Sequence, residues 1–438
     1  MSLTALLRTV PSATTDTSVL ESRRTDRSGV LGAEPRAVVL AASVGEVQAT
    51  AAWAHEHRVP LVARGAGTGL AGGAIAGGAI ADGAVVIDLS GLNRILELDP
   101  VDELAVVEPG VITAHLDAAA REHGLFFAPD PASAAISTVG GNIATNAGGV
   151  RCVKYGVTRE SVLGLDVVLA DGRRISTGRR TAKGVAGYDL TSLFVGSEGT
   201  LGLIVGATVR LRPVPTTLTT LAAAFDSPRS AAEACTALAA RRLQPSMLEL
   251  LDEATLDVVD RAQGTALREH GDALVIAQFE SENEHAAARE FLRPLGGDPD
   301  EWLAARRLAL PSIEHFGSAL IEDICVPRSK LGEAFARVRE IRADTGADVY
   351  TFAHAGDGNL HPILGFQRPG PPPEAIEAAD RIFALALELG GTVTGEHGVG
   401  ALKRDWLLRE LGEDTHAVHT DIKRALDPRG VLNPGRAI

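Results

Sequence analysis

Apolar runs separated by short polar stretches begin at Ala37 and predict a strand, a helix and a second strand. The run Ala37-Val-Val-Leu-Ala predicts the first strand, and Ser43-Val-Gly-Glu46 has the spacing of a capping box that begins a helix reaching His57. Val59-Pro-Leu-Val-Ala predicts the next strand. The residues before about 34 are polar and weakly patterned, so we expect a surface segment there.

The second strand leads directly into the glycine-rich stretch Arg64-Gly65-Ala-Gly67-Thr68-Gly69-Leu-Ala-Gly72-Gly73. A dinucleotide-binding fingerprint needs a helix directly after its glycines, but further glycines up to Gly83 interrupt every turn before the predicted strand Val85-Val-Ile-Asp88. We therefore expect a long loop whose successive backbone N–H groups bind a pyrophosphate. A flexible Gly/Ala linker is the alternative, and the apolar strands on both sides disfavour it.

The following segment predicts a second half of the same domain. A strand at Leu104–Gly110, a helix at Thr113–His123 and a hairpin with an Asp171-Gly172 turn are indicated. The stretch from Ser137 to Gly149 is too rich in Gly and Asn for regular structure and too apolar for a free loop, so we expect it to lie against a large planar ligand.

From Thr217 the pattern changes to strands and helices without glycine loops, which predicts a separate α+β domain. A helix is expected at Ser227–Ala240, flanked by strands, with a further strand at Ala273-Leu-Val-Ile-Ala. A final helix is expected after Asp414.

Two later glycine-rich stretches carry the ionisable side chains that suggest chemistry. The first, Thr351-Phe-Ala-His354-Ala-Gly-Asp357-Gly-Asn359-Leu-His361, follows a predicted strand that begins at Asp348 and must turn sharply at its glycines. The second, Thr394-Gly-Glu396-His397-Gly-Val-Gly400, adds a carboxylate and an imidazole. Histidines in glycine turns often only satisfy backbone groups. Together, however, the two stretches offer three metal ligands and one base, which is the composition of an open metal site.

The overall composition disfavours several kinds of function. The chain of 438 residues, 45% hydrophobic, has the size of two or three domains. Its formal charge of −14 and the lack of a Lys/Arg block disfavour nucleic acid or an anionic membrane as a partner. Cys152, Cys235 and Cys325 are widely spaced, so they favour a reducing cytoplasm over a disulfide framework or a thiolate metal site. No signal peptide and no membrane-spanning apolar run is recognised, and a soluble cytoplasmic protein is expected.

Taken in order, the glycine loops and histidine stretches resemble one flavoprotein family. The motifs are RGAGTGLAGG, PDPAS, GGNIATNAGG, GSEGTLG, HAGDGNLH and TGEHGVG, followed by Leu426-Asp-Pro-Arg-Gly-Val-Leu-Asn433-Pro-Gly. They resemble the FAD-linked D-2-hydroxyacid dehydrogenases, a group of vanillyl-alcohol-oxidase-type flavoproteins. This group includes D-lactate dehydrogenase, the glycolate oxidase flavin subunit and D-2-hydroxyglutarate dehydrogenase. The resemblance covers about residues 36–438.

The resemblance implies an α+β protein with a two-part FAD-binding domain of the vanillyl-alcohol-oxidase type and an α+β, ferredoxin-like cap domain. It implies an N-terminal segment at residues 1–35, the FAD-binding domain at 36–213, the cap or substrate domain at 214–413, and a C-terminal helix and tail at 414–438 that returns to the flavin. The loop RGAGTGLAGG contains neither His nor Cys, so FAD is expected to be held non-covalently. The expected FAD-binding residues are Arg64, Gly65, Ala66, Gly67, Thr68, Gly69, Leu70, Pro129, Asp130, Ser133, Thr138, Gly140, Gly141, Asn142, Gly148, Glu198, Gly199, Ile204 and Asn433.

The chemistry implied by the resemblance is oxidation of a 2-hydroxy acid to a 2-keto acid, with hydride transfer to flavin N5. His354, His361 and Glu396 are expected to hold a divalent metal, Zn²⁺ by preference, with Mn²⁺ or Fe²⁺ as alternatives. His397 is the expected general base. Arg306, after Trp302, is expected to bind the substrate carboxylate, with Arg307 as the second choice and a solvated helix face as the plain alternative. The spacing from the tryptophan is one residue longer here than in the family.

The substrate and the partners are constrained further by the same resemblance. The stretch Ile321-Glu-Asp323-Ile-Cys325-Val-Pro327 resembles the D-lactate members and lacks the lysine of the hydroxyglutarate enzymes. Pro362-Ile363 stands where those enzymes carry polar residues, so a D-lactate- or glycolate-like monocarboxylate is favoured over D-2-hydroxyglutarate. The electron acceptor is expected to be a protein or a quinone, and a homodimer is left open.

Three competing functions share the fold. They are an O₂-dependent alcohol or sugar oxidase that needs no metal, a flavin-dependent transferase of the ether-lipid synthase type, and a non-catalytic flavin-binding subunit. The set of two histidines and one glutamate argues against the first and the third, because neither would need metal ligands.

Overall fold

The computed structural model describes residues 3–77, 83–181, 183–368 and 370–438, and the chain forms two compact units. The first consists of Met1–Gly148, Val157–Val214 and Glu396–Ile438, and the second of Gly149–Gly156 and Pro215–Gly395. The chain thus re-enters the first unit at residue 396, earlier than the predicted boundary at 414, because backbone groups from 399 onward bond to that unit. Residues 149–156 lie in the second unit, where Tyr155 donates a hydrogen bond to Glu280.

Helices and strands are numbered in chain order. The helices are α1 Leu3–Thr9, α2 Thr17–Glu21, α3 Val44–His57, α4 Thr113–Arg121, α5 Val139–Thr145, α6 Cys152–Tyr155, α7 Thr158–Ser161, α8 Leu190–Phe194, α9 Pro228–Ala240, α10 Glu253–Gln263, α11 Glu282–Leu292, α12 Pro299–His315, α13 Leu331–Thr345, α14 Pro373–Glu388 and α15 Arg404–Leu426. The strands are β1 Ala13–Thr14, β2 Ala37–Leu40, β3 Leu61–Arg64, β4 Val85–Asp88, β5 Ile95–Asp99, β6 Leu104–Val107, β7 Leu125–Phe126, β8 Val162–Val168, β9 Arg174–Gly178, β10 Leu203–Arg210, β11 Arg212–Pro213, β12 Thr219–Phe225, β13 Met247–Asp252, β14 Ala273–Phe279, β15 Ser318–Ile321, β16 Ile324–Cys325, β17 Asp348–His354 and β18 Asn359–Phe366.

The first unit contains a four-stranded sheet in the order β1-β2-β4-β3 and a five-stranded antiparallel sheet in the order β5-β6-β10-β8-β9. Strands β2, β4 and β3 run parallel, as expected for strands joined through helix α3. The capping box is confirmed at its first residue, since the Ser43 hydroxyl accepts the Glu46 N–H at 3.3 Å. The Glu46 carboxylate reaches back one residue further, to the Ala42 N–H at 2.8 Å.

The N-terminal segment differs from the surface segment that we expected. Leu6 and Val10 are fully buried in the same core cluster as strands β2 and β4, and β1 pairs with β2. Arg23 binds Asp88 at 2.8 Å, so the carboxylate that follows the glycine loop serves an ion pair inside this unit. Apolar residues spaced for one face of a short helix therefore contribute to the core even where the surrounding sequence is polar.

The prediction that residues 137–149 lack regular structure is wrong, because helix α5 spans Val139–Thr145. Thr138 caps it by accepting the Gly141 N–H at 3.2 Å. A Cβ at Gly140 would lie 2.4 Å from Pro109, so this glycine allows close packing rather than breaking the helix. Asn146 ends the helix with a left-handed conformation, a role that Asn fills when Gly is absent.

The second unit is an antiparallel sheet in the order β12-β14-β13-β17-β18-β15, with β16 also paired to β18. Helices α10 and α12 pack on it through a buried cluster that includes Leu256, Ile276 and Phe352. The predicted strand from Asp348 and the sharp turn after it are confirmed as the hairpin of β17 and β18. In the described part of the chain, no helix combines the length and apolar character that a membrane span requires.

Candidate active site

The glycine loop after strand β3 leaves a row of backbone donors unpaired. Within the described residues, no backbone N–H of residues 66–73 donates a hydrogen bond to another protein group. Partly buried backbone N–H groups normally find a partner. Eight successive donors on one irregular loop fit a ligand with several anionic oxygens, such as a pyrophosphate.

Two buried guanidinium groups bind the carbonyls of the same loop. Arg64 folds beneath it and donates to Ala74 O at 3.1 Å, while Arg436 donates to Gly72 O at 2.9 Å and to the carbonyls of Ile75 and Gly77 at 2.8 and 3.1 Å. Burial lowers the pKa of both arginines from the usual value, but an arginine stays charged at neutral pH. Two positive charges therefore lie on the carbonyl side of the loop and favour an anion on it.

The packing around Arg64 explains the glycine at position 67. The backbone there has φ of 74°, and an added Cβ would lie 2.2 Å from the Arg64 guanidinium. A side chain at this position would push the arginine away from the loop carbonyls. Gly67 thus serves the shape of the loop.

Asn433 and Glu198 connect the loop to the rest of the first unit. The Asn433 amide donates to Gly73 O at 3.1 Å and to Glu198 O at 2.7 Å, whereas its Oδ1 is buried and has no hydrogen-bond partner among the described residues. The Glu198 carboxylate accepts the N–H groups of Val399 and Gly400 at 2.8 and 2.7 Å. Burial raises the pKa of Glu198. The orphaned Asn433 oxygen is a ready acceptor for a donor of a bound cofactor, so this region fits FAD.

The remaining predicted FAD residues also lie in the first unit, and several have structural tasks there. Ser133 O accepts the Ser137 N–H at 2.7 Å, and Asn142 donates to Thr113 Oγ1 at 2.7 Å. Gly148 lies against Glu396, because an added Cβ would be 2.3 Å from its Oε2. The others are placed as follows: Pro129 and Asp130 in the irregular stretch after β7, Thr138, Gly140 and Gly141 at the start of α5, Gly199 beside β3, and Ile204 in the core.

The two histidines of the first histidine stretch lie side by side on the β17–β18 hairpin. His354 ends β17, and His361 lies on β18, opposite Phe352. The ring centroids of His354 and His361 are 4.9 Å apart, and the two ring planes are at 85°. Both are buried, at 6% and 4% exposure. His354, His361 and Glu396 each offer one ligand atom, and these three atoms all lie within 4.8 Å of one another. Two imidazoles and one carboxylate at this spacing fit Zn²⁺, Mn²⁺ or Fe²⁺.

A buried carboxylate that sequence reasoning missed joins one of these histidines to the predicted substrate arginine. Glu249, on β13 and fully buried, has Oε1 at 2.7 Å from His354 Nδ1 and Oε2 at 2.5 Å from Arg306 Nε. The guanidinium of Arg306 also lies over the Phe352 ring, 4.3 Å from its centroid. Arg307, the second choice, is exposed. The geometry favours Arg306 over its neighbour as a residue of the site.

Two carboxylates, Asp323 and Glu198, bind backbone groups of the stretch from Thr394 to Gly400. Within the second unit, fully buried Asp323 accepts the Gly395 N–H at 2.6 Å and the Thr394 hydroxyl at 3.0 Å. Within the first, Glu198 binds Val399 and Gly400 as described above. Between these points, His397 Nε2 lies 3.9 Å from Glu396 Oε1. Neighbours in sequence thus keep their functional atoms close together.

The residues that sequence reasoning missed share one signal. Glu249 lies in Met-Leu-Glu-Leu-Leu-Asp, Asp323 in Ile-Glu-Asp-Ile, and Arg436 after Asn433-Pro-Gly, so each is a charged side chain in or beside an apolar or tightly turning stretch. A charge is buried only with a partner. That rule points to such residues, although it does not name their partners.

Comparison with known proteins shows which family the chain belongs to. The description "FAD binding domain" matches residues 35–178, and "FAD linked oxidases, C-terminal domain" matches residues 214–437. The chain is 39% identical over 434 residues to the glycolate oxidase subunit GlcD of Bacillus subtilis, covering 92% of this chain and 88% of that protein. It is 37% identical over 423 residues to the D-lactate dehydrogenase of Archaeoglobus fulgidus, covering 93% and 92%.

Solved structures give the fold. A p-cresol methylhydroxylase crystal structure superposes with a TM-score of 0.78 at 18% identity, covering 99% of this chain and 96% of that one. An alkyldihydroxyacetonephosphate synthase superposes with a TM-score of 0.76 at 20% identity, covering 99% and 85%. The fold is therefore that of the vanillyl-alcohol-oxidase type, as predicted. The chain belongs to the FAD-linked oxidase family, and it is an FAD-linked oxidoreductase of the D-lactate dehydrogenase and glycolate oxidase type.

Proposed function

We propose that the protein oxidises a D-2-hydroxy acid to the 2-keto acid with non-covalent FAD and a divalent metal. The observation that carries this proposal is the grouping of His354, His361 and Glu396, with Arg306 joined to His354 through one carboxylate. The names of the two relatives, a glycolate oxidase subunit and a D-lactate dehydrogenase, support the same substrate class. An oxidase that needs no metal would have no use for the three ligands.

The substrate would be held by its carboxylate. Arg306 has Nε engaged by Glu249, and its two terminal nitrogens make no other hydrogen bond among the described residues. A guanidinium in this state presents a planar fork of two donors, which matches a carboxylate better than a lysine ammonium does. Arg306 would therefore fix the orientation of the 2-hydroxy acid.

The reaction removes a proton from the hydroxyl and a hydride from C2, so that the C–O single bond becomes a carbonyl. His397 would accept the hydroxyl proton as general base. His354, His361 and Glu396 would hold a divalent metal, which would supply Lewis acidity that lowers the pKa of the hydroxyl. FAD, when bound, supplies the acceptor for the hydride. The two electrons would be passed on to an acceptor protein or a quinone.

A monocarboxylate remains our preferred substrate, with D-2-hydroxyglutarate as the alternative. The preference rests on the sequence features at 321–327 and 362–363, which lack the basic and polar residues for a second carboxylate. Ile363 is part of the buried core of the second unit, so its apolar character also serves packing.

The test is anaerobic reduction of the flavin by a panel of D- and L-lactate, glycolate and D-2-hydroxyglutarate. We expect D-lactate or glycolate to bleach the flavin and to yield the keto acid, and a chelator to prevent this without releasing FAD. Faster reduction by D-2-hydroxyglutarate would move the assignment to the dicarboxylate. If no acid reduces the flavin of metal-loaded protein, the proposed function is wrong. Rapid O₂ consumption with an alcohol or sugar would instead identify an oxidase of the same fold.

A further inference from the structure

We infer that Glu249 is a positioning residue that sets two groups of the site at once. It fixes which ring nitrogen His354 presents to the metal, and it orients the guanidinium of Arg306 for the substrate carboxylate. This inference rests on the proposed function, because it concerns how the metal ligand and the substrate arginine are held. Glu249 itself touches neither the metal nor the substrate in this scheme.

The position of Glu249 follows from the register of the sheet. Strands β13 and β17 are antiparallel neighbours, and Glu249 lies directly opposite His354. The carboxylate is fully buried and uses one oxygen for each partner, Oε1 for His354 Nδ1 at 2.7 Å and Oε2 for Arg306 Nε at 2.5 Å. Its immediate neighbours on the strand, Leu248 and Leu250, are apolar and buried. The two partners therefore account for the presence of a charge at this position.

The first consequence concerns the tautomer of His354. An ionised carboxylate can only accept hydrogen bonds, so Nδ1 must carry a hydrogen and Nε2 must carry the lone pair. A metal ligand needs a lone pair on the coordinating nitrogen. Glu249 thus makes Nε2 the ligand atom, in the same way that carboxylates behind metal-bound histidines fix ring orientation and raise ligand basicity.

The second consequence concerns Arg306. Its Nε is held by Glu249, and its plane lies against the Phe352 ring at 4.3 Å. Phe352 is paired with His361 across the hairpin, with ring centroids 5.4 Å apart. The guanidinium is therefore fixed on one edge and one face, which leaves only its terminal fork for the substrate. Losing Glu249 would release both the histidine ring and the arginine.

Replacing Glu249 by glutamine tests the hydrogen-bonding role of the carboxylate while the volume of the side chain stays nearly the same. Glutamine offers one acceptor oxygen and one NH₂ donor in nearly the same volume. If its oxygen accepts from His354, its NH₂ opposes the Arg306 N–H; if the amide turns over, its NH₂ donates to His354 Nδ1 and forces the hydrogen onto Nε2. Either arrangement impairs one of the two partners, so Glu249→Gln cannot keep both functions intact.

The experiment uses FAD-loaded protein and measures two quantities on the folded fraction. The first is the dissociation constant of Zn²⁺ alone, by competition with a chelator, and the second is the separation of KM and kcat for flavin reduction by D-lactate or glycolate. Glu249→Gln should weaken Zn²⁺ binding by about 10–100-fold and raise KM, while FAD stays bound. Asp252→Asn is the matched control, because Asp252 is a buried carboxylate of the same strand that accepts the N–H groups of Thr255 and Thr351 and contacts neither His354 nor Arg306 in any hydrogen bond among the described residues.

The outcomes distinguish this inference from the proposed function. If wild-type protein binds no Zn²⁺ or is not reduced by any 2-hydroxy acid, the proposed function fails first. If wild-type protein does both and Glu249→Gln matches it in Zn²⁺ affinity and KM, the inference is refuted while the function stands. A Glu249→Gln variant that only melts earlier, with Zn²⁺ affinity and KM unchanged, shows a structural role and also overturns it. Should Asp252→Asn reproduce both losses, the effect belongs to the strand rather than to Glu249.

Discussion

At the scale of single residues, carboxylates hold the segments that carry the proposed metal ligands and the proposed base. Glu249 binds His354 and Arg306, Asp323 binds the backbone before Glu396, and Glu198 binds the backbone after His397. A carboxylate buried with charged or N–H partners is costly to leave unpaired. Substituting any of them should therefore act on geometry as well as on stability.

The adjacent residues Glu396 and His397 should separate metal binding from proton transfer. We expect Glu396→Gln to lose metal affinity, because it removes a charged ligand from the set with His354 and His361. His397→Asn should keep metal and FAD, yet slow flavin reduction by about 10²–10⁴-fold, the usual contribution of a general base. Metal analysis together with stopped-flow reduction checks both variants. Metal loss from the His397 variant, or normal reduction by it, would reverse the assignment.

Asp252 gives a prediction for pH. Burial raises the pKa of Asp252 to about 6 from an ordinary value of 3.8, although hydrogen bonds from Thr255 and Thr351 act in the opposite direction. The folded state then holds the proton more tightly than the unfolded chain, so the contribution to stability is full below the unfolded pKa and is lost as pH rises through about 6. A salt-bridged aspartate shows the opposite pH dependence, because its contribution to stability is lost as the pH falls.

Removing that carboxylate should remove its share of the pH dependence. We expect the unfolding free energy of wild type minus that of Asp252→Asn to fall by on the order of 2–3 kcal/mol between pH 4 and pH 7. Urea unfolding of both proteins at each pH measures this difference. A difference that stays constant with pH would show that Asp252 titrates normally in the folded protein.

At the scale of elements, helix α5 contains a glycine because a neighbouring residue leaves no room for a side chain. Gly140 packs against Pro109, where a Cβ would be 2.4 Å away. Among the described residues, a Cβ added at Gly45 in helix α3 would have only the Ser43 hydroxyl within 4 Å, at 3.8 Å. Gly140→Ala should therefore destabilise the protein by about 1–3 kcal/mol through overpacking. Gly45→Ala should stabilise it by roughly 0.5 kcal/mol. Thermal unfolding of the matched pair tests this, and two shifts of the same sign would contradict it.

The predicted and the observed elements show which parts of the fold the sequence could predict. Elements set by local pattern were found, such as the capped helix α3 and the hairpin that begins at Asp348, because the residues that decide them are neighbours in the chain. Helix α5 was missed because glycine propensity was weighed without the packing against Pro109. Glu249 was missed because its partners lie 57 and 105 residues away, beyond the reach of any local motif.

The candidate metal ligands and the arginine were predicted as a group because the order of motifs resembles a family, and their roles stay predictions. Nothing in the spacing between Arg306 and His354 states that they share a carboxylate. Residues that touch a ligand recur as short motifs, whereas those that hold them in place are spread along the chain.

At the scale of the whole molecule, the C-terminal tail completes the glycine loop near the start of the chain. Arg436 is almost fully buried, at 1% exposure, and binds three carbonyls of that loop. Arg436→Met would leave those carbonyls unpaired. We expect the FAD dissociation constant to rise by about tenfold or more, since a hydrogen bond from a charged donor contributes roughly 1.5–3 kcal/mol.

Titration of the apoprotein with FAD, followed by flavin fluorescence, measures that change. Arg429→Met is the control, because Arg429 also lies in the tail but donates to His55 O and Glu56 O at the end of helix α3. The control should bind FAD as wild type does. If Arg436→Met lowers the melting temperature but keeps the wild-type FAD affinity, the arginine serves the fold and not the cofactor.

The contact between Arg436 and Gly72 also bears on how the protein is made. The two residues are 364 positions apart, so the loop leaves the ribosome long before the guanidinium that binds its carbonyls has been synthesised. Bringing together two residues so far apart in the chain has a large entropic cost, which is offset only when the rest of the fold has formed. FAD binding is thus expected to come late, after the whole chain has been synthesised. A chain that ends before residue 436 would lack the guanidinium that binds the carbonyls of the glycine loop.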